Sequence, residues 1–246
     1  MFVQRARVRT ARHPETWRSW PFSVPCVREV AERGITFTKP VTMLVGENGS
    51  GKSTLVEAIA EGFGLDSYGG KAGRKYASNR PKTPLGEVLE LETTSAGAKM
   101  RAGSRTGKRG FFLRAETAFE MIRNLAGAPG YWDADTVRMS HGEGFLAVFH
   151  HMLRARGFYV LDEPEAGLSF SACLRLVALL HEIGESGAQV ICATHSPILA
   201  GVPGADVLEV GEHGLRRTTW ADLDQVDHWA RYLANPDAYL RHLVDP

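Results

Sequence analysis

Three short stretches of this sequence carry residue types suited to phosphate chemistry. In the first, Leu44–Thr54 (LVGENGSGKST), Gly46, Gly49 and Gly51 fall within six residues and lead into Lys52, Ser53 and Thr54. The spacing G-x-x-x-x-G-K-S/T lets a backbone loop curl so that its N–H groups point inward as an anion nest. A helix starting at Lys52 would add the positive end of its dipole to the same point. Gly46, Glu47, Asn48, Gly49, Ser50, Gly51, Lys52, Ser53 and Thr54 are therefore expected to cradle a nucleoside triphosphate. Lys52 is placed on the β- and γ-phosphates and Ser53 on Mg²⁺.

The second stretch, FYVLDEPEAGLS, ends an apolar run on Asp162 and Glu163. Adjacent residues at a strand end face opposite ways, so two acids can take two jobs. Asp162 is expected to hold Mg²⁺ through water, and Glu163 to polarise a water attacking the γ-phosphate. The third, ATHSP, sets His195 at the end of another apolar run, 33 residues after Asp162. There it would face the same edge as Lys52 and Asp162 and sense the γ-phosphate.

These residues need strands and helices to bring them together. Val41–Val45 is a five-residue apolar run stopping at Gly46, as a buried strand would, and Leu55–Ala60 continues with helical spacing. Beyond the middle of the chain a helix near 143–156, a strand at 158–161, a helix near 169–183 and strands at 189–193 and 206–210 alternate. That rhythm predicts an α/β fold, a P-loop NTPase with a mostly parallel central sheet covered on both faces. Residues 1–10 read as an exposed edge strand. Residues 64–84 read as a long loop, 87–94 and 98–102 as strands, 110–113 as a third short strand, and 115–125 as an amphipathic helix. These give a small antiparallel portion beside the main sheet. From Asp222 onward the pattern is helical.

The three stretches together resemble the ATP-binding-cassette class of ATPases, over about two-thirds of the chain, Val41 to Pro197. The resemblance implies that LDEP is the Walker B strand with Glu163 as catalytic glutamate, and that His195 is the switch histidine. It also implies a signature one helix upstream. MSHGEG lies there, with Ser140 22 residues before Asp162, so Ser140 and Gly142 are expected on the γ-phosphate of a partner's ATP. The class form LSGGQ differs at Met139, His141 and Glu143. Such resemblance further implies ATP and Mg²⁺ as cofactors and a head-to-tail dimer, with Ser169 standing where the class has an aspartate in the loop crossing the interface.

Transporter members of the class carry a glutamine between Walker A and the signature. Here the glutamines are Gln4, Gln189 and Gln225, so Glu116, a candidate Mg²⁺ ligand, or Arg114 stands in that place. The absence points away from a membrane permease and toward small, stand-alone ATPases of the SMC/RecF-like branch, often labelled AAA. With no heptad run, no coiled-coil arm is expected. Trp17, Trp20 and Phe22 are candidates for the adenine face, and equally for core or surface anchors. His150 and His151 do not share a helix face and lack companions at metal spacing.

Composition sets the outer bounds. The 246 residues are 43% hydrophobic and 23% charged, with a formal net charge of +1, which suits one globular domain (1–246) carrying an insertion at about 64–139. Between residues 69 and 110, ten Lys and Arg stand against three Glu, either a solvated loop or a basic patch for a nucleic-acid backbone. No apolar run approaches the roughly 18 residues of a membrane span. The N-terminus lacks a signal-peptide core, and the scattered Cys26, Cys173 and Cys192 suit a reducing compartment, so a cytoplasmic location is expected. The function expected is a soluble Mg²⁺-dependent ATPase driving a conformational switch. The alternatives are an ATP-gated clamp on DNA or protein, or a transporter's ATP-binding subunit.

Overall fold

The computed structural model describes residues 1–9, 18–66, 69–71, 81–103, 109–128, 133, 135, 141–153 and 156–244. The apolar runs become the central strands of one sheet. These are β3 (Val41–Val45), β7 (Phe158–Asp162) and β8 (Gln189–Thr194), every residue buried. With β4 (Gly70–Lys71), β6 (Gly110–Leu113), β9 (Asp206–Gly211) and β10 (Gly214–Thr218), they form a sheet of order β10-β9-β3-β8-β7-β6-β4. The five inner strands run parallel, and the two flanking ones, β10 and β4, pair antiparallel. Parallel strands buried on both faces require apolar residues at odd and even positions alike. On β3, Met43 and Val45 face one core and Leu44 the other; on β7, Tyr159 and Leu161 oppose Phe158 and Val160.

The first core is closed by α5 (Ala115–Leu125), α6 (His141–Met152) and α7 (Phe170–Glu185). The second lies beneath α1 (Pro25–Arg33) and α2 (Lys52–Phe63), beside a three-stranded antiparallel sheet of β2 (Ile35–Thr36), β1 (Val3–Val8) and β5 (Leu89–Thr93). The remaining helices among the described residues are α3 (Pro84–Val88), α4 (Ser95–Ala102), α8 (Pro197–Ala200), α9 (Asp224–Ala234) and α10 (Pro236–Val244).

Four expectations are corrected here. Residues 1–10 do not make an exposed edge: β1 is the middle strand of its sheet, with Val3, Ala6 and Val8 buried. Gln189 fixes it to the main sheet, its Oε1 accepting from the Phe2 and Val3 N–H groups at 2.7 and 2.8 Å. Residues 98–102 are helix, not strand. Thr94 caps α4 by accepting the Gly97 N–H at 3.1 Å, and Ala98, Lys99, Met100 and Arg101 are all good helix formers. The start of 87–94 belongs to α3, capped in the same way by Thr83. The long loop expected over 64–84 contributes β4, and 72–80 within it lie outside the described residues.

Candidate nucleotide site

The loop after β3 is shaped by two glycines that nothing else could replace. A Cβ on Gly46 would sit 2.1 Å from the Val210 carbonyl oxygen, so β9 passes too close for any side chain. Gly51 has φ +98° and a Cβ there would strike Val24 and Cys26 of the α1 segment. The Cys26 thiol donates to the Ser50 carbonyl at 3.3 Å, holding the loop from behind. Lys52 opens α2 and is buried, its Nζ donating to the Glu47 carbonyl at 2.7 Å. Burial pulls its ammonium below the ordinary value, against the opposing pull of Glu163, Asp162 and Glu165. A compact cation is thus folded into its own loop, and an arriving phosphate is a stronger acceptor than the carbonyl it now holds.

Ser53, next on α2, donates from Oγ to Asp162 Oδ1 across 3.0 Å. Burial pushes the Asp162 carboxyl up to about 6. Glu163 adds to the rise, while the Ser53 hydrogen bond and the Arg114 and Lys52 charges oppose it. Glu163 follows in the left-handed region at φ +48°, costly for a residue with a side chain. Its N–H donates to the Ala193 carbonyl at 2.9 Å, continuing the β7–β8 ladder past its last pair. The turn aims its carboxylate at the next strand, where Glu163 Oε1 lies 3.4 Å from His195 Nδ1.

The carboxyl ends of β3, β7 and β8 therefore bring together Gly46–Thr54, Asp162, Glu163 and His195, as expected. A cavity of about 590 Å³ borders this edge, running from Gly46–Ser50 to Glu209, His213, Asp224, Gln225 and His228. Gly142 is the second residue of α6; Ser140 and Trp17 lie outside the described residues. Glu116 falls in the first turn of α5, its side chain outside those described. Of the aromatic candidates, Phe22 takes the core alternative. It is buried in the second core and cannot lie on a base, whereas Trp20 is exposed.

Protein-family models match two parts of the chain: an AAA domain over residues 18–119, and an "AAA domain, putative AbiEii toxin, Type IV TA system" over 135–201. Among curated proteins, the thiamine import ATP-binding protein ThiQ of Cereibacter sphaeroides is 32% identical over 175 residues, 63% of this chain and 70% of ThiQ. The chain belongs to the ATP-binding-cassette class of ATPases.

As such it binds ATP and is an ATPase. The cytochrome c biogenesis ATP-binding export protein CcmA of Mesorhizobium japonicum is 29% identical over 67% of this chain and 82% of CcmA. The chain spans 23% of another relative, ABC transporter G family member 22 of Arabidopsis thaliana, at 27% identity. Among solved structures, cbiO1 of Clostridium perfringens matches with a TM-score of 0.46 and 16% identity, covering 99% of this chain and all of that one. Among the described residues no helix is long and apolar enough to cross a membrane.

Two residues at this candidate site of the ABC-class chain are not among those expected from the sequence. Glu165 is buried, and its Oε1 accepts the Thr194 hydroxyl and, at 3.0 Å, the His195 N–H. The second glutamate in L-D-E-P-E was its signal. Gln225, at the start of α9, donates from Nε2 to the His195 carbonyl. That contact joins positions 30 residues apart, and no local pattern marks it.

Proposed function

We propose that this chain is a Mg²⁺-dependent ATPase that closes head to tail with a second copy of itself and uses hydrolysis to switch a partner between two states. The convergence of Lys52, Ser53, Asp162, Glu163 and His195 at one sheet edge carries the reading. The donor set fits a hard cation: a hydroxyl and a carboxylate oxygen 3.0 Å apart, the carboxyl so buried that it favours a positive neighbour. Ser53 and Asp162 would hold Mg²⁺, which supplies positive charge beside the β- and γ-phosphates.

The chain's own groups do the rest. The loop N–H groups and Lys52 bind the phosphates. Glu163 takes the proton of the attacking water, and its aim is fixed by the strained turn that carries it. His195 stabilises charge on the γ-phosphate, together with Ser140 and Gly142 of the second copy. The relatives named in transport favour a transport partner over the stand-alone enzyme expected from the missing glutamine. Arg114 stands at the end of β6 in that glutamine's place, half-buried and paired with Glu57, so a transport partner would have to be sensed by other groups.

A second reading is an ATP-gated clamp on nucleic acid with little turnover of its own. The excess of Lys and Arg over residues 69–110 favours it.

Glu163→Gln tests the main reading. It should leave ATP binding intact and lower kcat by about 10²-fold or more, the size expected for loss of a general base. Turnover at the wild-type rate would remove Glu163 from the chemistry. Turnover that is negligible in the wild type and appears only with DNA would favour the clamp.

A further inference from the structure

His195 lies between two carboxylates, and the second is the informative one. Its Nδ1 is 3.4 Å from Glu163 Oε1 and 3.6 Å from Glu165 Oε1. Neither distance makes a hydrogen bond, and Nδ1 is buried without another partner among the described residues. We infer that Glu165 is a positioning residue for His195, gripping its main chain, holding its ring proton on Nδ1 and sparing Glu163 for the attacking water. The roles of His195 and Glu163 in that statement rest on the function proposed above; the hold of Glu165 on the ring does not.

The turn after β7 places Glu165 for this task. The Ala166 N–H donates to the Glu163 carbonyl at 3.1 Å and the Leu168 N–H to the Glu165 carbonyl at 2.8 Å, folding the chain back over the end of β8. There Glu165 Oε1 collects the Thr194 hydroxyl and the His195 N–H. Thr194 Oγ1 in turn accepts the Ser196 N–H at 2.9 Å, and Gln225 holds the His195 carbonyl from the other side. The histidine's backbone is thus clamped at both its N–H and its C=O, leaving the ring as the part that can still turn.

Electrostatics then select the tautomer. A nitrogen lone pair facing two carboxylate oxygens is repelled by both, whereas an N–H is drawn to either. The proton therefore sits on Nδ1, and Nε2 is the nitrogen turned away from both acids. Glu165 is the better resident partner because it is the more buried, with a side chain 7% exposed against 23% for Glu163. Its Oε2 is buried with no hydrogen-bond partner among the described residues, so a small ring rotation would give that carboxylate a donor it lacks. When Glu165 accepts the hydrogen bond from Nδ1–H, Glu163 is left free to accept a proton from water.

The test uses the full chain labelled with ¹⁵N-histidine, nucleotide-free and at alkaline pH, with the His195 ring assigned by its loss in His195→Asn. Ring nitrogen shifts report the tautomer directly. The wild type should show Nδ1–H. Glu165→Gln, whose amide can turn an N–H toward the ring, should move it to Nε2–H or a mixture, and Glu165→Asp should recover part of the wild-type signal. In the same proteins Glu165→Gln should lower kcat by about 10- to 100-fold, as loss of a group orienting a functional histidine typically does, with the Kd for Mg·ATP within about twofold. Thr194→Val, which frees the Glu165 carboxylate without removing it, should give a smaller shift in the same direction and serves if Glu165→Gln does not fold. An unchanged Nδ1–H signal in both Glu165→Gln and Thr194→Val overturns the inference. A ring signal that moves while kcat stays at the wild-type value supports the hold of Glu165 and removes His195 from the chemistry.

Discussion

Two contacts tie α2 to the main sheet, one helical turn apart, and they behave oppositely. Ser53 reaches Asp162 at the end of β7, and Glu57 reaches Arg114 at the end of β6. Positions four apart share a helix face, and the β6–β7 register, with Leu113 opposite Leu161, sets Arg114 level with Asp162. The first contact pairs a neutral hydroxyl with a buried carboxyl, so neither group is neutralised and both can turn to a cation. The second is an ion pair of opposite charges with side chains only 12% and 11% exposed. One contact is open to a ligand and the other is closed. At the end of β6, in the place of the transporters' glutamine, stands Arg114, paired with Glu57 of α2.

The largest break should come at the closed contact. Arg114→Ala takes the partner charge from buried Glu57 and should cost about 3–5 kcal/mol, lowering Tm by roughly ten degrees. Arg114→Met combined with Glu57→Leu should recover most of that loss. Thermal unfolding of the single and double variants checks both, and an Arg114→Ala protein as stable as the wild type would show the contact is not closed.

A smaller effect is expected at the open contact, and it depends on pH. The folded Asp162 has its pKa raised to about 6 from 3.8, so between these values the folded chain binds more protons than the unfolded one. Stability contributed by this group is then present at low pH, lost as pH rises from about 4 through about 6, and level above. The ceiling is about 3 kcal/mol, since each pH unit between the two values is worth about 1.36 kcal/mol. In denaturant unfolding, ligand-free wild type should match Asp162→Asn near pH 4 and fall below it as pH rises through this window. A pH-independent difference between the two would contradict it.

The same contrast explains what can be foreseen from sequence. The placement of Gly46, Gly51, Lys52 and Ser53 is legible because it is set by bond geometry within a few residues of chain. Asp162, Glu163 and His195 are legible because each ends an apolar run whose neighbours fix its direction. Arg114 is marked in sequence only by its place at a strand end and Glu57 not at all; their pairing follows from the crossing of α2 over β6, which no local pattern encodes. The same holds for Glu165 and Gln225, which meet His195 from separate elements. Residues 1–10 read wrongly as an edge because alternation cannot tell a strand facing water from one flanked on both sides. Residues 98–102 read wrongly as strand because the cap at Thr94 blends into the β-branched end of the run before it.

The central claim is that the open site closes only against a second copy. The most direct test is the mass in solution of Glu163→Gln, with and without Mg·ATP. The account predicts a monomer that becomes a dimer when ATP is added. A protein that binds ATP and stays monomeric would contradict it, and would mean that the site is completed by a different chain.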